Sequence, residues 1–398
     1  MFVFNILEDA TAEPPLKPRF QREPELDESM HFEDTEPFRL IIPHHTLSSL
    51  HYRNFFESYY LSTPFIRKLE LDSPPTSKHQ MAGERTNAAA LSVQPLHPSM
   101  LGKLDPEYIE FHNKHVISIV PPHTLPWDPS IRNAPTVPGA SEPLPVGKTH
   151  DIDITNTKCR VFTPEGEPPK DGWPVFIWFH GGGWTLGSIS SETSFCTNMC
   201  VHAKCVVVSV DYRLAPEFPY PTAVEDAVDA LQWVAKNGSQ KLGVDVSKLA
   251  VGGSSSGGNL AAILALKAPD LSPPIPITFQ LLHVPVTDNT ASIDSFWGPN
   301  ADVPWLTPER MIWFKRNYLP NKEDWTKWDA SPLFAPDALI AKVPRAWVGV
   351  AELDLLREEG LAYAEKLKKN GVEVEVHVYK GAPHPFMAMD ACYPLESR

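Results

Sequence analysis

The chain of 398 residues contains no apolar run approaching the roughly 18–20 residues that a membrane-spanning helix needs. No transmembrane segment is therefore expected. Its first residues, MFVFNILEDATAEPP, lack the basic start of a secretion signal, and acidic residues follow at once. The expected location is cytoplasmic, and the single glycosylation sequon at Asn237 reads as a chance turn. Positive charge is also scarce. Lys and Arg number 35 against 49 Asp and Glu, the net charge is −14, and no polybasic block occurs. Nucleic acids and anionic membranes both require a positive footprint, so neither is expected as a partner. Small neutral substrates remain open. Cysteine is sparse and odd in number, at five, which does not read as a disulfide framework. Cys196 and Cys200 lie four apart near His202, but no second Cys/His pair follows at zinc-ligand spacing. Buried free thiols are expected, with no metal.

Proline is abundant but uneven. Residues 1–150 hold 20 of the 42 prolines, and acidic clusters such as REPELDESMHFEDTEP fall in the same region. Such composition buries little core. Residues 1–100 therefore read as an N-terminal extension, partly disordered or packed on a cap, with the main domain over 101–398. The aromatic stretch HYRNFFESYYLSTPFI predicts one helix within the extension. LDPEYIEFHNKHV predicts another, with Asp105 as N-cap and Pro106 in the first helical position.

From residue 150 short β-branched runs alternate with helical stretches. Strands are expected at DIDIT, CRVFTP, PVFIWFH, CVVVSVDY, LAVGG, ITFQLLHV, AWVGVAE and VEVEVHVY. Several are continuously apolar, as in central strands covered on both faces, while the last alternates as nearer an edge. EGLAYAEKLKKNG predicts a helix closed by Gly371. The alternation predicts an α/β fold, a mostly parallel eight-stranded sheet with helices on both faces.

In such sheets, sites form beyond the carboxyl ends of strands. After PVFIWF come His180, Gly181, Gly182, Gly183 and Trp184. Three glycines let backbone amides approach a ligand, although a tight turn has the same composition. After LAVGG comes the run Ser254, Ser255, Ser256, followed by the helical GGNLAAILALKA. A linker does not fit between two strongly apolar elements. A phosphate-binding loop would end in Lys and Ser or Thr, where Asn259 and Leu260 stand. The remaining candidate is the nucleophile elbow, G-x-S-x-G, and only the frame Gly253 to Gly257 fits it, with Ser255 central. Asp354 follows AWVGVAE and His384 follows VEVEVHVY and its short turn. The order Ser, Asp, His, each past a strand, is that of a hydrolase triad. Ser255 would attack an acyl carbonyl, His384 would shuttle its proton, and Asp354 would fix the imidazole tautomer. The Ser256 amide and amides of Gly181 to Gly183 would hold the oxyanion.

HGGGW, VDYRLAPEFPYPTAVEDA, GGSSSGGNLA, AELDLLREEGLAYAEKLKKNG and GAPHPF resemble, in order, the blocks of the hormone-sensitive-lipase-like family of α/β-hydrolases. The resemblance covers about residues 101–386. It implies hydrolysis of short- to medium-chain carboxylic esters without metal or organic cofactor, with a small-molecule ester as the partner. It also implies a cap over the pocket, from about 101–135 and 286–328, and assigns the triad to Ser255, Asp354 and His384. His180 would support the glycine loop. The same acyl chemistry would serve an amidase, a lactonase or a secondary-metabolite esterase. A non-catalytic receptor on the same fold would lack the histidine, which is present here. Trp297, Trp305, Trp313 and Phe314 either line the pocket or pack the cap core. The family usually has Asp before the nucleophile, where this chain has Ser254. Only 14 residues follow His384, fewer than the family's final helix requires. VEVEVHVY could pair across a homodimer edge, although charged edge positions often prevent this.

Overall fold

The structure, a computed structural model, describes residues 93–133 and 138–391. The helix expected in HYRNFFESYYLSTPFI, Cys392 and the terminal PLESR lie outside the described residues.

Eight strands form one sheet: β1 (Lys148–Ile154), β2 (Thr157–Thr163), β3 (Trp173–Phe179), β4 (Val206–Asp211), β5 (Val244–Ser254), β6 (Phe279–His283), β7 (Ala346–Leu353) and β8 (Val374–Pro383). Their order is β1-β2-β4-β3-β5-β6-β7-β8. β2 runs antiparallel to both β1 and β4, and every other neighbouring pair is parallel. Each strand overlaps a run expected from the sequence. β8, whose residues alternate, does lie at an edge.

The helices are α1 (Pro106–Phe111), α2 (Thr193–His202), α3 (Thr222–Leu242), α4 (Ser256–Lys267), α5 (Pro308–Tyr318), α6 (Asp337–Ile340) and α7 (Arg357–Lys369). Asp105 caps α1 by accepting from the Glu107 amide at 2.8 Å, with Pro106 just inside the helix. The chain then widens into a π-turn over His112–Val116. The Val93 and Gln94 amides both donate to the Ile117 carbonyl at 3.0 Å, just past this turn. Gly371 follows α7 in the left-handed region, at φ +81. α4 is buried from Ser256 through Leu266, as expected for a helix apolar all round.

Alternate side chains of β3 serve opposite faces. Val175, Ile177 and Phe179 join the larger core cluster, while Phe176 and Trp178 pack with Cys196, Cys200 and Cys205 on the other face. These thiols are free. Burial pushes the Cys200 thiol up to about 12, so it is not a nucleophile near neutrality. Among the described residues no helix is long and apolar enough to cross a membrane, and no cluster of His, Cys, Asp and Glu could hold a metal ion.

Glu359, in the first turn of α7, lies fully buried. It accepts from the Thr287 amide at 2.9 Å, the Asp288 amide at 3.2 Å and the Trp297 indole at 3.2 Å. Burial is the dominant influence and pushes its carboxyl up to about 8. The folded protein therefore holds a proton that the unfolded chain releases near 4.5. That contribution to stability is complete below the unfolded value and is lost as pH rises toward 8. The Tm advantage of wild type over Glu359→Gln is expected to shrink between about pH 5 and pH 8 in calorimetry. A constant difference across that window would contradict this account.

Candidate active site

Four strand ends converge on one rim. β5 stops at Ser254 and α4 starts at Ser256, leaving Ser255 alone in the turn at φ 54 and ψ −114. A positive φ strains a residue with a side chain and must be held by its surroundings. Here the Ser255 amide donates to the His283 carbonyl at 2.8 Å, and the Ser255 carbonyl accepts from the Asn259 amide at 3.0 Å. The Val286 amide donates to the same carbonyl at 3.2 Å. The flanking glycines are steric necessities. A Cβ on Gly253 would run into the Gly257 carbonyl, and one on Gly257 would run into the Phe179 carbonyl.

Asp354 directly follows β7, and His384 directly follows β8. His384 Nε2 lies 3.0 Å from Ser255 Oγ, and its Nδ1 lies 2.8 Å from Asp354 Oδ2. With Nδ1–H on the carboxylate, Nε2 is left to accept from the serine hydroxyl. Asp354 is fully buried, and its other oxygen accepts from the Leu356 amide at 3.1 Å. Asn300 fixes the loop beneath by donating to the Asp354 carbonyl at 2.7 Å. His283 lies behind this group with its ring 4.7 Å from Phe386. Burial, with the nearby His384, pushes the His283 imidazole down to about 3, so it stays neutral.

The loop after β3 is anchored from both sides. His180 is buried and stacked 4.4 Å from the Tyr212 ring, and the Tyr212 hydroxyl donates to the His180 carbonyl at 2.8 Å. Gly182 and Gly183 adopt φ values of +120 and +60. A side chain at Gly182 would meet the Leu186 carbonyl, and one at Gly183 would meet the Phe314 ring. Neither amide donates to another described residue. Gly181 differs, because its amide donates to Glu192 Oε1 at 3.1 Å and is not free for a ligand. Ser256 opens α4, where helical amides lack intrahelical partners.

Glu192 also accounts for the unusual Ser254. The Ser254 hydroxyl donates to Glu192 Oε1 at 2.6 Å, and the Trp178 indole donates to Oε2 at 2.7 Å. One carboxylate thus ties the residue before Ser255 to the glycine loop. An Asp at position 254 would set two carboxylates against each other, whereas a neutral hydroxyl fits. Glu192 sits in an ordinary-looking SSET segment and carries no motif that reading the sequence could use.

Ser255, His384, Gly182 and Gly183 open onto a cavity of about 380 Å³. Its opposite wall comes from residues 119–132 and from 305–314. Trp305 and Phe314 line it, whereas Trp297 is buried against Glu359 and Trp313 contacts the Trp127 ring at 6.0 Å.

A sequence profile for the alpha/beta hydrolase fold matches residues 176–388, which include Ser255, Asp354 and His384. Carboxylesterase NlhH of Mycobacterium tuberculosis is 40% identical over 224 residues, 56% of this chain and 69% of that one. The chain belongs to the hormone-sensitive-lipase-like family of α/β-hydrolases. An AB hydrolase superfamily protein of Schizosaccharomyces pombe is 48% identical to this α/β-hydrolase over 316 residues, covering 75% of this chain and 92% of that one. Among solved structures, an esterase of Pyrobaculum calidifontis superposes with a TM-score of 0.57 at 39% identity, over 62% of this chain and 80% of that one. An ester hydrolase from the Lake Arreo metagenome, solved with a bipyridine phosphonate derivative, gives 0.66 at 30% identity, over 73% and 93%.

Proposed function

We propose that this α/β-hydrolase cleaves carboxylic esters of short to medium acyl chains through an acyl-enzyme on Ser255. The carrying observation is the relay of 3.0 Å and 2.8 Å from Ser255 through His384 to Asp354, open to the cavity. In the proposed reaction His384 Nε2 takes the hydroxyl proton as Ser255 Oγ bonds to the acyl carbon. Asp354 stabilises the resulting imidazolium. The carbonyl oxygen becomes an oxyanion facing the amides of Gly182, Gly183 and Ser256. The C–O bond to the alcohol then breaks, and His384 returns the proton to the leaving oxygen. Water, activated by the same imidazole, hydrolyses the acyl-enzyme and restores the serine. Gly181 supports this hole through Glu192 without donating to it. The wall opposite Ser255, from residues 119–132 and 305–314, acts as part of the cap.

The cavity volume supports the chain-length assignment, being near the small end of ligand pockets. The free thiols suit a reducing compartment, and we assign the enzyme to the cytoplasm. Initial rates on p-nitrophenyl esters from acetate to dodecanoate test the reading. kcat/KM is expected to peak at short to medium chains and fall beyond. No hydrolysis of any of them by folded protein would overturn it.

Glu192 acts by position. Glu192→Ala is expected to lower kcat about 10- to 100-fold with little change in KM, since loss of one oxyanion donor costs about 10²–10³ and a loosened loop costs less. Glu192→Gln keeps one oxygen acceptor and should recover part of the loss. An unchanged kcat in Glu192→Ala would remove this role.

A further inference from the structure

Arg310 breaks three rules at once. It lies on the cavity wall and is only 8% exposed. It stands in the first turn of α5, an 11-residue helix whose N-cap Thr307 accepts from the Arg310 amide. The N-terminal end of a helix dipole is positive and disfavours a cation. No carboxylate among the described residues pairs with it, burial being the one influence on its guanidinium, and Glu309, beside it in sequence, is exposed. The other cavity arginine, Arg132, is paired with Glu217 at 2.5 Å and also donates to the carbonyls of Thr185 and Ala215. To the described residues Arg310 makes one side-chain hydrogen bond, from Nη1 to the Trp305 carbonyl at 3.1 Å, and its guanidinium lies 5.0 Å from the Trp305 ring centre. Trp305 is itself held at φ +70, so this end of the cavity is a built feature. Burial pushes the guanidinium down to about 10, which still leaves it charged at neutral pH.

A guanidinium has five N–H donors in a fixed fork, and burying that charge unpaired is costly unless a partner arrives. An anion entering the cavity would meet both the fork and the positive end of α5. We propose that Arg310 is a substrate-binding residue and that the preferred substrate is an ester bearing a second, ionised carboxylate. This rests on the ester-hydrolase reading above and narrows its substrate class. The net charge of −14 repels anions at long range, so the preference arises from contact inside the cavity.

The carboxylate can sit on the acyl or on the alcohol side. Two matched pairs distinguish these: monoethyl glutarate against ethyl pentanoate, and 4-acetoxybutanoate against butyl acetate. Hydrolysis is followed by pH-stat with wild type, Arg310→Met and Arg310→Lys. In at least one pair, wild type is expected to favour the anionic ester, chiefly through a lower KM. Arg310→Met should lower kcat/KM for that ester about 10- to 100-fold and leave its neutral partner within about threefold. Arg310→Lys should recover only part, because an ammonium lacks the planar fork. Equal losses on anionic and neutral esters would assign Arg310 to supporting the Trp305 loop and overturn the proposal. Wild-type preference for the neutral ester in both pairs would overturn it without any variant. Turnover of the neutral esters reports separately on the ester-hydrolase reading.

Discussion

Ser255→Ala is expected to lower kcat for an activated short-chain ester by about 10⁴-fold or more, while the protein stays folded with nearly unchanged Tm. Removing a triad nucleophile elsewhere costs up to about 10⁶ in kcat, and the oxyanion donors and binding groups leave a residual acceleration. The fold should tolerate the change, because the backbone holds the elbow. The Ser255 amide and carbonyl bonds to His283, Val286 and Asn259 do not involve the hydroxyl. The neighbouring serines provide contrast. Ser256→Ala keeps the amide assigned to the oxyanion hole and should retain most activity. Ser254→Ala loses the 2.6 Å bond to Glu192 and should resemble a mild Glu192 variant. A loss below about tenfold in Ser255→Ala, measured on protein free of wild type, would remove Ser255 from the chemistry.

Asp354→Asn should have the second-largest effect, about 10⁴-fold in kcat with KM nearly unchanged. The imidazole tautomer decides the effect. Asp354 Oδ2 accepts from His384 Nδ1 at 2.8 Å, and Oδ1 accepts from the Leu356 amide at 3.1 Å. An asparagine placed there keeps its oxygen on the Leu356 amide and turns its NH₂ toward Nδ1. The imidazole must then carry its proton on Nε2, where it can no longer accept from Ser255. The imidazolium formed during attack also loses its counter-charge at a fully buried position. Asn300 holds the Asp354 main chain from its carbonyl, so the loop should keep its place. A kcat within about tenfold of wild type would show that Asp354 does not orient His384.

Much of this site was legible in the sequence because its demands are local. Gly253 and Gly257 are spaced by a steric limit between strand and helix, so the glycine frame alone singles out Ser255 among three serines. Asp354 stands just past a continuously apolar run and His384 past an alternating one, the patterns of a covered strand and of a strand nearer an edge. The parts that stayed hidden are supplied by folding from far along the chain. Glu192 meets Ser254 across 62 positions, and Asn300 meets Asp354 across 54. No spacing rule predicts such pairs. Gly181 shows a subtler limit. Its place in the HGGG run suggests an oxyanion donor, but the direction of its amide is set by Glu192, which the run does not contain. The aromatic insert behaves likewise. Composition marks Trp297, Trp305, Trp313 and Phe314 together, and only the packing of α5 decides that Trp305 and Phe314 face the cavity. Arg310 looks like an ordinary helix-surface residue until its burial is known.

Ser255 is expected to become covalently acylated during turnover. The most direct test is peptide-mapping mass spectrometry after reaction with a fluorophosphonate, which traps an activated serine. A single adduct is predicted on Ser255, absent from Ser255→Ala and suppressed by competing ester. An adduct on Ser254 or Ser256, or none on folded protein that still turns over ester, would contradict it.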